Sequence, residues 1–428
     1  MRTLIRGVAV LASPDAPVIP KADVVIEGRR FAAVLVGEEA GGDFDRVIDG
    51  ESRLLMPGLV NAHTHLAMTV FRGLADDLPL KPWLEERIWP AERKLTPEDV
   101  YWFSLLGALE MIRTGTTAFA DMYFFMDQVA EAAEQTGLRA LLSHGVIAPT
   151  PDRMEPELEK AEQLVNRWEG AADGRIRTAL SPHAPYTCAP EVWRRAAGLA
   201  RELKVPIHTH LAETKPEVDD FRDQHGQSPA QWLEELGGFS VPGLAAHCVH
   251  VTDKDMEILA AHGVSAVHCP TSNAKLACGI APVTELLAAG VNVALGTDGA
   301  ASGGSLDMVK EIHLAALLAK LRTGSAEALP AGEAFACATR RGAQALGLSR
   351  ELGTIEQGRW ADCVLVALDG AHMVPGHAPL ADLVYTASGA DVVGTIVDGR
   401  PLFLNGEFLT LDKEAVLAEC RRRAVRYR

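Results

Sequence analysis

No apolar run in this 428-residue chain approaches the roughly 20 residues that a membrane-crossing helix needs, so no bilayer span is expected. Arg2 and Arg6 make the first residues basic, but Ser13-Pro14-Asp15 arrives before any apolar stretch develops, and no signal peptide is expected. Basic residues are in the minority. With 41 Lys and Arg against 57 Asp and Glu, the formal net charge is −16. That balance argues against a nucleic-acid partner, because phosphate binding wants clustered Lys and Arg. Cysteine occurs seven times, at 188, 248, 269, 278, 337, 363 and 420, and never as C-x-x-C. An odd, scattered set fits buried thiols in a reducing cytoplasm, not a disulfide framework or a thiolate zinc site.

What is present reads as a soluble globular enzyme. Hydrophobic residues make up 48% and charged residues 23%, enough for a large core. The length suits one domain of about 250–300 residues with a smaller companion. Val24-Val25-Ile26-Glu27-Gly28 and Phe31-Ala32-Ala33-Val34-Leu35-Val36 flank a polar turn as a hairpin does. Near the other end, Cys363-Val364-Leu365-Val366, Val392-Val393-Gly394-Thr395-Ile396-Val397 and Pro401-Leu402-Phe403-Leu404 are also strand-like. Residues 1–57 and 353–428 are therefore expected to assemble one small β-sandwich domain around a middle of 58–352.

That middle alternates strands and helices. Strands are expected at 59–63, 117–121, 139–145, 176–182, 206–211, 243–247, 265–269 and 292–297. Helices between them carry clear start and stop signals. Thr96-Pro97-Glu98-Asp99 is an N-cap followed by Pro at N1, and Gly115 closes that helix. Ser228-Pro229 and Thr252-Asp253 open two more, while Gly263 and Gly290 stand where C′ glycines belong. Eight β/α units of this regularity predict a (β/α)₈ TIM barrel, with a doubly wound open sheet as the alternative.

The chemistry gathers at predicted strand ends. His63-Thr64-His65 ends the first strand, and residues i and i+2 of an extended segment point the same way. His208-Thr209-His210 ends the fifth, with Glu213 three residues on; His247 ends the sixth and Asp298 follows the eighth. In a closed parallel barrel the C-terminal strand ends converge on one site. Imidazoles and a carboxylate meeting there suit zinc or iron with a position left open for water.

At these residues the chain resembles the amidohydrolase superfamily. The strings are Pro57-Gly58-Leu59-Val60-Asn61-Ala62-His63-Thr64-His65, Ser181-Pro182-His183-Ala184-Pro185-Tyr186, His208-Thr209-His210-Leu211-Ala212-Glu213, Ala246-His247-Cys248-Val249-His250 and Gly296-Thr297-Asp298-Gly299. Ile88-Trp89-Pro90-Ala91-Glu92 and Gly115-Thr116-Thr117-Ala118-Phe119-Ala120-Asp121-Met122-Tyr123 are similar, more narrowly, to methylthioadenosine/S-adenosylhomocysteine deaminases. The resemblance implies one divalent metal, zinc with iron and manganese as alternatives, on His63, His65, His210 and Asp298. The fourth predicted strand lacks the bridging Lys or Glu of binuclear members, which supports a single ion. It further implies Glu213 as the acid that protonates the ring nitrogen, His247 as the group that orients water, and Asp298 as the base. His183 and Glu92 would contact a nucleoside, Glu92 at the ribose hydroxyls, and Trp83 would pack on the purine or alkylthio group.

One position departs from that pattern. Relatives that accept S-adenosylhomocysteine carry an Arg after strand three for its carboxylate; here His144 stands there, with Arg153 the nearest substitute. A neutral imidazole replaces a bidentate guanidinium poorly. The favoured substrate is therefore 5′-methylthioadenosine or adenosine, converted to the inosine-type product and ammonia. The competing enzyme reading is another aza-aromatic, such as guanine, a pterin or a triazine; a ribose-binding Glu92 argues against a free base. A catalytically dead scaffold has no need of a complete set of ligands, acid and base. The H-x-E with P-C-x-x-C signature of cytidine-type zinc deaminases is absent. The histidine at 208 is expected to face away from the metal or to support its neighbour. Oligomeric state is open, with a homo-oligomer possible.

Overall fold

In the computed structural model, which describes residues 1–427, eight parallel strands follow one another in unbroken chain order. They are β1 (Leu59–Thr64), β2 (Thr116–Tyr123), β3 (Arg139–Val146), β4 (Ile176–Pro182), β5 (Ile207–Leu211), β6 (Gly243–His247), β7 (Ser265–His268) and β8 (Val293–Leu295). Each was anticipated to within a few residues. β8 is short because Gly296-Thr297-Asp298 turns away to build the site.

The open-sheet alternative fails at the seam between β8 and β1. Asp298 N–H donates to His63 O at 3.0 Å, Thr297 N–H donates to Asn61 Oδ1 at 3.0 Å, and Asn61 Nδ2 donates to Thr297 Oγ1 at 2.7 Å. Gly296 permits this approach: a Cβ there would lie 2.9 Å from the His63 backbone. Val60, Ala118, Leu141, Ala179, Leu244, Val267 and Ala294, drawn from seven strands, share one apolar cluster. Only the interior of a closed barrel brings residues from so many strands together.

The helices start where the capping chemistry predicts. Thr96, Ser228 and Thr252 each form a reciprocal capping box, with Asp99, Gln231 and Asp255 respectively. Gly263 and Gly290 take positive φ, 64° and 84°, after their helices.

Both chain ends join in one nine-stranded mixed sheet. Its central seam pairs Arg53–Pro57 antiparallel with Cys363–Ala367, the two segments that border the barrel. Ile5, Val24, Phe31 and Leu55 from the first end pack with Cys363, Leu365 and Ile396 from the second. A buried ion network locks this sheet to the base of the barrel. Arg139, at the start of β3, binds Asp362 at 2.7 and 3.0 Å and also Asp398, with the Trp360 ring 4.0 Å from its guanidinium carbon. Among the described residues no helix is long and apolar enough to cross a membrane.

Candidate metal centre and active site

Four imidazoles, three buried and His65 half-buried, face one point because each is anchored by its other nitrogen. His63 Nδ1 lies 2.8 Å from His208 Nε2, and His65 Nδ1 lies 2.5 Å from Met122 O. His210 Nδ1 meets His183 O at 2.8 Å, and His247 Nδ1 meets Asn273 Oδ1 at 2.9 Å. A carbonyl can only accept, so the rings of His65 and His210 must carry their hydrogens on Nδ1. Their Nε2 lone pairs are then bare, and they face each other at 3.3 Å. His63 Nε2 is buried with no hydrogen-bond partner. Lone pairs held together in a dry pocket repel unless a cation lies between them.

Asp298 closes the set. Its Oδ1 is 3.2 Å from His65 Nε2 and 3.6 Å from His63 Nε2. Ser272 and Ser302 hydroxyls donate to its Oδ2 at 2.6 and 2.8 Å, and Gly299 N–H donates to Oδ1 at 2.7 Å. The potential ligand atoms fall into two groups, His63 with His65 and Asp298, and His63 with His210 and His247, each within 4.8 Å. Burial raises the Asp298 pKa, but the facing His63 and His65 rings outweigh it and hold the carboxylate well below its usual range. Burial lowers His65, yet the Asp298 bond and charge and the Met122 carbonyl lift it to about 9, whereas burial leaves His63 at about 4. The residues present fit a single divalent ion.

Glu213 stands beside this centre, its Oε2 3.7 Å from His247 Nε2. Burial raises its pKa, which favours a carboxyl that still carries its proton. The Cys278 thiol reaches Glu213 Oε1 at 3.6 Å, and Glu213 N–H donates to Glu217 Oε2 at 3.1 Å. One cavity is lined by His65, His183, His210, Glu213, His247 and Asp298 together with Glu92 and Trp83. Trp83 sits on a π-helical turn, Trp83–Ile88, and is buried. Glu92 Oε1 accepts from Tyr123 OH at 2.7 Å. His144 and Arg153 are not in that cavity; they line an adjoining chamber, where His144 Nε2 contacts Glu157 Oε2 at 2.8 Å.

Several participants went unseen in the sequence. Glu157 and Glu217 belong to no motif, and Tyr123, which ends the Gly115–Tyr123 string, and Cys278, expected only as a buried thiol, had no expected role at the site. Ser272 and Ser302 hold Asp298. His208 supports a neighbour, but that neighbour is His63, across the barrel.

Comparison with known proteins agrees with this geometry. The family model described as Amidohydrolase family matches residues 54–402. A protein of Moorella thermoacetica called 5-methylthioadenosine/S-adenosylhomocysteine deaminase is 50% identical over 411 residues, 96% of each chain. The crystal structure of an adenosine deaminase from Xanthomonas campestris with bound zinc superposes with a TM-score of 0.94 at 38% identity, covering 99% of this chain and 98% of that one. Atrazine chlorohydrolase from Arthrobacter aurescens, complexed with zinc, has a TM-score of 0.91 at 26% identity, covering 99% and 100%.

Proposed function

Because the chain belongs to the amidohydrolase family, we propose that it is a metal-dependent hydrolase that deaminates an adenosine-type nucleoside, 5′-methylthioadenosine first, to the inosine-type product and ammonia. The carrying observation is the inward convergence of anchored imidazoles and Asp298, with Glu213 next to them. Identity supports a deaminase over a triazine hydrolase, at 50% against 26%.

In this reading His63, His65, His210 and Asp298 hold the ion, zinc in preference to iron or manganese. When bound, a divalent cation there supplies Lewis acidity that brings the pKa of water down to about 7. The purine lies with its C6 toward Asp298 and its adjacent ring nitrogen toward Glu213. Glu213 gives its proton to that nitrogen, so negative charge does not accumulate on the ring as water adds. Asp298 takes a proton from the attacking water and passes it to the departing amine. His247, held by Asn273, orients the water from the far side. Glu92 accepts hydrogen bonds from the ribose hydroxyls, His183 contacts the nucleoside, and Trp83 packs against it. The cysteines are all unpaired and buried, in keeping with a cytoplasmic setting.

The test is ammonia release by the zinc-loaded enzyme from 5′-methylthioadenosine, adenosine, S-adenosylhomocysteine and guanine. Methylthioadenosine and adenosine should be the better substrates. Ammonia from guanine and from no adenosine overturns the assignment. Full activity of Glu92→Ala on methylthioadenosine would remove the ribose role.

A further inference from the structure

Outside the catalytic cavity lies a second chamber of about 840 Å³. The two share a wall formed by Trp89, Glu92, Phe124 and Ile147. Glu92 faces both spaces. A nucleoside whose base reaches Glu213 and whose ribose meets Glu92 fills the inner cavity, so its 5′ substituent points outward into the chamber. We propose that Glu157 determines specificity there, admitting 5′ substituents that are uncharged or end in an ammonium and rejecting those that end in a carboxylate. The inference rests on the nucleoside deaminase reading.

Glu157 projects from the helix Met154–Trp168, and its side chain is only 14% exposed. His144 Nε2 lies 2.8 Å from its Oε2, and Lys160 Nζ donates to its Oε1 at 2.7 Å. The His144 hydrogen bond outweighs burial and, with Lys160, brings Glu157 down to about 2. It is therefore a carboxylate at any working pH. His144 is the imidazole an incoming acid would seek, and it is already committed to an acid. Each Glu157 oxygen takes one of these contacts and keeps a lone pair for an incoming N–H donor.

The remaining cations do not reverse the sign. Arg93 and Arg153 are exposed, and Arg167 pairs with Asp127 at 3.3 Å. Exposed charges are screened by water and salt, whereas a partly buried carboxylate acts through a lower effective dielectric. A methylthio group ends at the apolar wall of Phe124 and Ile147 and meets none of these charges. Longer arms pass the wall and reach Glu157.

The proposal is tested with three 5′-thioethers of adenosine, carrying methyl, aminopropyl and carboxyethyl groups, and the zinc-loaded enzyme. Wild type should favour the aminopropyl over the carboxyethyl compound by at least about tenfold in kcat/KM, the equivalent of about 1.4 kcal/mol. Glu157→Gln keeps the shape and removes the charge, and should bring that ratio close to one. Equal use of both charged arms by wild type, or a preference that survives Glu157→Gln, overturns the proposal while leaving the deaminase reading intact. No ammonia from any of the three, the methyl compound included, refutes the deaminase reading and this inference with it.

Discussion

His208 is not one of the four residues assigned to the ion, yet it should control how tightly the centre holds zinc. Both it and His63 are fully buried, and their rings meet at 2.8 Å between His63 Nδ1 and His208 Nε2. For His63 to offer its unpartnered Nε2 to an ion, its hydrogen must sit on Nδ1, and His208 Nε2 is the acceptor that keeps it there. His208→Ala leaves that N–H unpaired in a dry pocket, at a cost of about 1–3 kcal/mol, and frees the ring to rotate. Losses of this kind weaken metal affinity by about 10–100-fold, or about 1.4–2.7 kcal/mol. His208→Gln restores an acceptor and should recover most of the affinity. The assay is zinc competition against a chromogenic chelator, with the thermal midpoint of the metal-free proteins as a check on folding. If His208→Ala folds normally and binds zinc within a factor of about two of wild type, the tautomer argument is wrong.

The acid role of Glu213 predicts that Glu213→Gln keeps its zinc and loses about 10²–10⁴ in kcat; a mild loss in steady-state turnover would assign the proton to another group. Arg139→Ala strands Asp362 without its guanidinium, leaving Asp398 only Arg29, and should cost about 3–5 kcal/mol in urea unfolding, and a cost below about 1 kcal/mol would show the network to be wet. Glu311 is pushed up to about 7 by burial, from 4.5 in its ordinary state. The folded chain keeps this proton longer than the unfolded one, so the group's contribution is full below pH 4.5 and is lost as pH rises through 7. Glu311→Gln should therefore melt higher than wild type at pH 8 relative to their difference at pH 5, and parallel melting curves across that range would contradict the assignment.

The catalytic end of the barrel was legible because its signals are local. A strand that ends in H-x-H turns both rings to one side by parity alone, and capped helices between strands fix the order in which the ends arrive. What was not legible depends on partners distant in sequence. His208 and His63 are both in motifs, but nothing in either motif says that one holds the other across the barrel. His144 and Glu157 come from a strand end and the next helix, so their pairing leaves no trace in either segment. Arg139 reads as an ordinary strand charge until Asp362 and Asp398 arrive from the chain's other end.

Strain marks the strand ends that carry this site. Four non-glycine residues around the centre adopt left-handed backbone: Ala212 at φ 50°, His247 at 73°, Cys248 at 49° and Asp298 at 58°. An extended chain would swing alternate side chains away from the centre; a left-handed step at the strand end turns the backbone while keeping the functional group inside. Each such residue costs about 1–3 kcal/mol and persists only when its surroundings over-determine it. Here the surroundings do so. Cys248 N–H donates to Leu211 O at 2.9 Å, Val249 and His250 N–H both donate to Ala212 O at 3.0 Å, and Asp298 N–H is held by His63 O at 3.0 Å. Three of those bonds join the ends of β5 and β6, and the fourth spans the β8–β1 seam, so Asp298 is held in place only in the closed barrel. A lesion that opens the seam should therefore cost the metal site before it costs the helices.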